Sequence, residues 1–337
     1  MKIFIPFTIQ ETGGTSTFAK KFGQGLEKQG HEVFYTFRRD YDILFVIVQC
    51  SPLYLFHAKL HGKKIIQRLD GVYYWSVAGW KYPLLNFPPS FIHRFFADFT
   101  VYQSQYSKYC ADIFLGQRKD QQHTIIYNGV DTSFFALQGE KIEDLRDNPD
   151  QQIFITASKF RRTDQILPLI EALEMYRKKY TENFKFIIIG DFNREVTSLP
   201  DRYKQCTYLH FLGKIKNEDL PKYERSSDVF LMTHLNPPCP NNIIEAMACG
   251  LPICGVDDGA MRELTVSGEN SLLIPTQGDA FWKKRFYDTA QFADNLAKIM
   301  KSQKIFSENS AKIATERLGL ATMINKYVQV FQDLDTR

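Results

Sequence analysis

The stretch Ser227–Asp257, SDVFLMTHLNPPCPNNIIEAMACGLPICGVD, decides the class of fold. SDVFLMTH (227–234) is a short apolar run with β-forming residues, Asn242 to Cys249 has the length and spacing of a short helix, and LPICGVD (251–257) is a second strand. Strand, helix and strand in that order make a parallel pair with a helical crossover. The pattern extends in both directions. NSLLIP (270–275) follows as a strand, and the tail from Asp288 is helical with Phe292, Leu296 and Ile299 on one face. Upstream lie TYLHFLG (207–213), FKFIIIGD (184–191) and QIFITAS (152–158), with a helix predicted over Gln165–Lys179.

A polar stretch, GEKIEDLRDNPDQ, carries no apolar period and reads as a linker. Before it runs a first series of strands: KIFIPF (2–7), HEVFYTF (31–37), DILFVIV (42–48), KKIIQRL (63–69), DFTVYQS (98–104) and HTIIYNG (123–129). Thr15–Gln29 fits a helix, with Phe18, Phe22 and Leu26 on one face and Gly30 at its end. The expectation is an α/β protein of two doubly wound, Rossmann-like domains facing across a cleft. Residues 1–145 form the first and 146–318 the second, and 319–337 is a helix returning to the first.

The chain has 337 residues, 42 Lys plus Arg against 38 Asp plus Glu, and 44% apolar residues. Those values exclude a disordered chain and a disulfide mini-scaffold, and the net charge of +4 is too diluted to argue for nucleic acid. Six scattered cysteines without a CxxC pair suit a reducing compartment. The apolar run Tyr41–Phe56 is interrupted by Asp42, Gln49 and Pro52 and is too short to span a bilayer. A cytoplasmic protein is expected.

Two segments suggest chemistry. Thr12-Gly13-Gly14-Thr15 opens the first helix, where glycines admit a ligand to the backbone and free amides attract a diphosphate; the alternative is a plain tight turn. The segment 235–252 places an Asn pair, Asn241 and Asn242, at a helix start, with Glu245 one turn inside. Amides there suit phosphate oxygens and the carboxylate suits a ribose diol, although Glu245 could simply complement the helix dipole.

Together these residues resemble the retaining glycosyltransferases of the family 4 group, which have the GT-B fold. The likeness runs nearly end to end, through GGT…LEKQGHEV (13–33), RLDG (68–71), YQSQYSK (102–108), YNGVD (127–131), FLGKI (211–215), EAMACGLP (245–252) and REL…GEN (262–270). It implies that Gly13, Gly14 and Thr15 meet the donor diphosphate and that Glu245 holds the nucleotide ribose. It also implies that Gly213 and Lys214 lie at the base, and that Asn241 and Asn242 cradle the distal phosphate and sugar. Three positions depart from the family pattern. Pro237 stands where its first motif Glu would be, Asp164 where a Lys is usual, and Asp70 where a His is common.

The implied activity is transfer of a sugar from a nucleotide-diphosphate donor to a hydroxyl on a sugar, glycan or lipid-linked acceptor, with retention and without a metal or other cofactor. Lys159, Arg161 and Arg162 would stabilise the charge growing on the leaving diphosphate. Asp70 orients the sugar or acceptor hydroxyl, acts as a base, or is a turn residue before Gly71. An inactive nucleotide-sugar-binding protein, and an epimerase or hydrolase on the same fold, are the alternatives. Asp40-Tyr41-Asp42 and Asp333-Leu334-Asp335 spell DxD but sit before a strand and in the tail. The aromatic run Tyr73–Phe96 reads as a helical lid packed on the first domain, with contact to a membrane as the second option.

Overall fold

A computed structural model describes residues 1–10, 14–118, 122–279, 281–282 and 287–335. The chain divides into two compact units. The first comprises Met1–Gly129, Asp279–Lys284 and Leu320–Arg337, and the second Val130–Gly278 and Arg285–Gly319. The division falls after Gly129, so residues 130–145, expected in the first domain, go with the second unit.

The first unit holds six strands: β1 (Lys2–Phe4), β2 (Glu32–Phe34), β3 (Ile43–Ile47), β4 (Lys64–Leu69), β5 (Phe99–Tyr102) and β6 (His123–Ile125). They form one parallel sheet in the order β2-β1-β3-β4-β5-β6. β3 is apolar throughout because both faces are covered. Ile43, Phe45 and Ile47 face one layer with Phe18 and Phe22 of helix α1 (Gly14–Lys28) and with Tyr327 and Phe331 of the helix Leu320–Asp335. Leu44 and Val46 face the other, with Leu55 of α2 (Pro52–Leu60) and Ile92 of α3 (Tyr82–Phe95).

The expected strand over residues 31–37 shrinks to Glu32–Phe34, and the apolar run Tyr41–Phe56 is two elements, β3 and the start of α2. Ser51 makes the break: its hydroxyl accepts from the Leu53 N–H while Pro52 opens the helix.

The second unit repeats the plan with β7 (Gln152–Phe160), β8 (Phe184–Phe192), β9 (Leu209–Gly213), β10 (Val229–Met232), β11 (Ile253–Asp257) and β12 (Ser271–Pro275). The order β12-β11-β10-β7-β8-β9 is all parallel and reverses direction between β7 and β10. In open α/β sheets ligands collect outside the carboxyl ends of the strands at such a reversal. Helices α4 (Leu167–Lys179), α5 (Leu220–Arg225) and α6 (Asn241–Ala248) connect strands, and the helical tail expected from Asp288 begins in this unit as two helices, Thr289–Lys301 and Gln303–Arg317, separated by Ser302. None of the six cysteines is joined in a disulfide. Among the described residues no helix is long and apolar enough to cross a membrane.

Candidate functional site

In the first unit the site is built at the end of β4. Arg68 points into the protein and is 1% exposed, its guanidinium 3.4 Å from the centre of the Phe18 ring. A guanidinium so far from water requires fixed acceptors. It donates to the Asp70 carboxylate and, at 2.8 Å, to Asn128 Oδ1. The second Asp70 oxygen accepts from the Thr15 hydroxyl at 2.9 Å, and the Asp70 carbonyl accepts from Ser107 Oγ at 3.2 Å.

Two residues picked from the sequence, Thr15 and Asp70, are thus joined directly. Gly14 begins α1 beside them, and Gly13 lies outside the described residues. Both carboxylate oxygens of Asp70 have protein partners, an arrangement that fixes the group in place rather than leaving it a mobile base. Arg68 and Asn128 lie in the stretches RLDG and YNGVD, but the sequence singles out neither as a site residue; the structure joins both to Asp70 in one cluster. The signal for Arg68 is its place in KIIQRL, where a charge inside an apolar strand demands a partner.

In the second unit, Lys159 stands near the end of β7 in register with Asp191 of β8. Asp191 pairs with Lys214 at 3.1 Å, and that hydrogen bond, with the charges of Lys214 and Lys159, holds its carboxyl below the usual carboxylate range. Close approach of β7 and β8 depends on Gly190, where a Cβ would lie 1.7 Å from the Ser158 carbonyl oxygen. β9 ends at Gly213 with φ +68°, a left-handed turn that brings Lys214 to this edge.

Past β7 the chain is gathered by Gln165, whose Oε1 accepts from the N–H groups of Arg161 at 2.7 Å and Arg162 at 3.0 Å. The three predicted cations then part company. Lys159 and Arg161 are exposed, whereas Arg162 is committed to Asp164 through an ion pair of 3.0 Å.

Helix α6 is pinned to the same edge. Asn242 Nδ2 donates to the Ala157 carbonyl of β7 at 2.9 Å, and its Oδ1 accepts from the Ile243 N–H at 3.1 Å. The N-cap position belongs to Pro240, so the Asn pair forms the first two helical residues instead of the cap. Pro237 is buried, its carbonyl accepts from the Ala260 N–H at 2.9 Å, and it packs on Gly259, where a Cβ would lie 2.4 Å from Pro237. His234 sits beside Ser158 and Phe160, and burial, followed by the Arg162 charge, lowers its imidazole to about 4. Cys239, in the loop before α6, is buried.

Glu245 is half-buried, one turn into α6. Behind it α5 presents Glu224, fully buried, a residue that no motif singles out. Burial, and after it the charge of Glu245, pushes the Glu224 carboxyl well above its ordinary range. Glu224 also raises the neighbouring Cys249 thiol, after burial has done so. In the DxD triplet of the first unit, Asp40 bridges Lys2 and Arg38, and Asp42 accepts from the Lys2 N–H.

Residues 151–302 match the family described as Glycosyl transferases group 1. The Alpha-monoglucosyldiacylglycerol synthase of Acholeplasma laidlawii is 27% identical over 190 residues, which cover 51% of this chain and 48% of that protein. The chain spans between 46% and 61% of the length of the curated relatives it matches. Sucrose-phosphate synthase from Thermosynechococcus elongatus superposes with a TM-score of 0.77 at 16% identity, covering 99% of each chain. The Anabaena HepE protein in complex with UDP-glucose superposes with a TM-score of 0.74 at 18% identity, covering 100% of this chain and 99% of that one. The fold is therefore GT-B, with two Rossmann-like domains, and the likeness to group 1 glycosyltransferases read from the sequence is borne out.

Proposed function

We propose that this protein transfers a sugar from a nucleotide-diphosphate sugar to a hydroxyl acceptor, with retention at the anomeric carbon and without a metal. One observation carries the reading. At the reversal of the second sheet, the Asn242–Ala157 hydrogen bond ties the start of α6, with Glu245 one turn inside it, to β7 two residues before Lys159. The structurally similar HepE protein was solved in complex with UDP-glucose, which supports a nucleotide-sugar donor. The Acholeplasma relative is a monoglucosyldiacylglycerol synthase by name, which supports a lipid-linked acceptor and contact with a membrane.

The donor is assigned to the second unit. Glu245 accepts hydrogen bonds from the ribose diol, and Gly213 with Lys214 borders the base. As the bond from the anomeric carbon to the diphosphate oxygen breaks, Lys159 and Arg161 stabilise the negative charge that accumulates. The acceptor oxygen forms the new bond on the face the diphosphate leaves, and its proton passes to a diphosphate oxygen, so no separate base is required. The first unit receives the acceptor, with the fixed Asp70 carboxylate orienting its hydroxyl. Arg162 holds Asp164 and is a positioning residue.

A second reading, a nucleotide-sugar-binding protein without turnover, draws on the buried Pro237 in place of a carboxylate. Incubation with a panel of nucleotide sugars, with and without acceptors and with EDTA, separates the two. Acceptor-dependent, EDTA-resistant nucleotide release supports transfer, and saturable binding without release supports the second reading.

A further inference from the structure

Helix α3 is built with its polarity reversed. Its buried face carries Asn86, Pro89, Ile92 and His93, two of them polar. Asn86 is satisfied by the Tyr73 backbone, accepting its N–H at 2.9 Å and donating to its carbonyl at 2.7 Å, and His93 Nδ1 meets the Thr100 hydroxyl at 3.2 Å. Leu84, Phe87 and Phe95 face outward, 67%, 66% and 69% exposed, with half-buried Phe91 between them. Their spacing traces a single apolar stripe along the helix.

The stripe continues beyond α3. Phe91 packs on Phe96 at 5.3 Å between ring centres, and Phe96 meets Phe56 of α2 edge-to-face at 5.3 Å. α2 buries Leu55 and Ala58 and leaves Leu53, Phe56 and Leu60 exposed. Trp80 stands exposed just ahead of α3, with Lys81 Nζ 5.7 Å from its ring centre. A connected apolar surface of this kind marks a docking face. Within the aromatic run, α3 therefore packs through other residues and leaves the Phe87 and Phe95 rings outside.

Charge selects the occupant. From Ile43 to Ala97 the sequence holds six Lys or Arg and a single acid, Asp70, which is tied to Arg68. Of the six, Lys59, Lys81 and Arg94 are exposed on α2, beside Trp80 and on α3. Lys59 pairs with Asp98. Two copies meeting through this face would oppose like charges, whereas apolar stripes edged by cations, Trp and Tyr suit the headgroup boundary of a bilayer.

We propose that the face formed by α2 and α3 docks on an anionic lipid bilayer, with the Leu and Phe stripe at the headgroup–acyl boundary and the lysines at lipid phosphates. For its purpose, access to a lipid-linked acceptor, this rests on the transferase function proposed for the chain. Docking itself is measured without donor or acceptor, so either can fail alone.

The test is flotation of the whole chain with phosphatidylcholine vesicles, with and without roughly one-third phosphatidylglycerol. Binding to the anionic vesicles that weakens with added salt is expected. The triple variant Leu84→Ser, Phe87→Ser, Phe95→Ser should lose about tenfold or more of it with its melting temperature and nucleotide response unchanged. Leu53→Ser with Phe56→Ser and Leu60→Ser provides the same test on α2 should the first variant not fold. Failure of the parent chain to float with anionic vesicles overturns the proposal. So does equal binding by a folded variant, or a concentration-dependent dimer that the same substitutions dissociate.

Discussion

The Thr15 hydroxyl donates to Asp70 across 2.9 Å, linking the first turn of α1 to the end of β4 from 55 residues away. Because the other Asp70 oxygen neutralises the buried Arg68, the two halves of this link differ in weight. Asp70→Asn leaves a guanidinium without its counter-charge and should cost about 3–5 kcal/mol, nearer the lower figure because Asn128 remains. Thr15→Val removes one neutral hydroxyl and should cost about 1 kcal/mol. Urea unfolding of the two variants measures the difference, and equal costs would contradict the assigned network.

The cation cluster yields a graded outcome. Lys159→Ala or Arg161→Ala should each lower kcat by about 10²–10³ with the fold intact, the effect of losing a group that stabilises transition-state charge. Arg162→Ala releases Asp164 and should show a smaller loss in kcat together with a measurable loss in stability. Steady-state kinetics and thermal melts on the three variants check the ranking.

Glu224 gives a pH signature. Its folded carboxyl keeps a proton that the unfolded chain releases above about pH 4.5, so the native state binds more protons and stability falls as pH rises. His234, lowered to about 4, acts in the opposite sense between there and its ordinary 6.5. Above pH 6.5 the Glu224 contribution therefore stands clear. Glu224→Gln, which keeps the shape without the titration, should gain on the parent chain by up to about 1.4 kcal/mol per pH unit, until the folded group ionises. Unfolding midpoints between pH 6.5 and 8 read this directly, and parallel curves would show that Glu224 is ionised in the fold.

Gly190 is a steric requirement. A Cβ there would lie 1.7 Å from the Ser158 carbonyl oxygen, at φ +142°, beside the strand position that presents Lys159. Gly190→Ala should cost about 2 kcal/mol or more, since backbone must move to admit it. A calorimetric scan checks this.

How far the sequence could be read follows from which forces are local. The apolar runs at the heart of β3, β7 and β8 are their own evidence, because a strand covered on both faces reads as a near-continuous apolar run. The helix Pro52–Leu60 is hidden because it shares an apolar run with β3, and only the Ser51-Pro52 cap signals the change. Asp70 and Thr15 are legible separately, but their bond depends on Arg68, whose partner Asn128 lies 60 residues further on. Glu224 is invisible for a similar reason: in LPKYER it resembles any surface carboxylate, and only packing of α5 buries it behind Glu245. The exposed rings of α3 run against the expectation of a packed lid because helical spacing alone does not reveal that the polar Asn86 and His93 take the inner face.

The central claim is that Glu245 holds the ribose of a nucleoside diphosphate, and calorimetric titration of the parent chain and Glu245→Ala with UDP, GDP, ADP and TDP tests it most directly. One diphosphate should bind the parent saturably, and the variant should bind it weaker by about 1.5–3 kcal/mol, at least tenfold in Kd. Equal affinity of parent and variant for that nucleotide, or no saturable binding of any of the four, would contradict it.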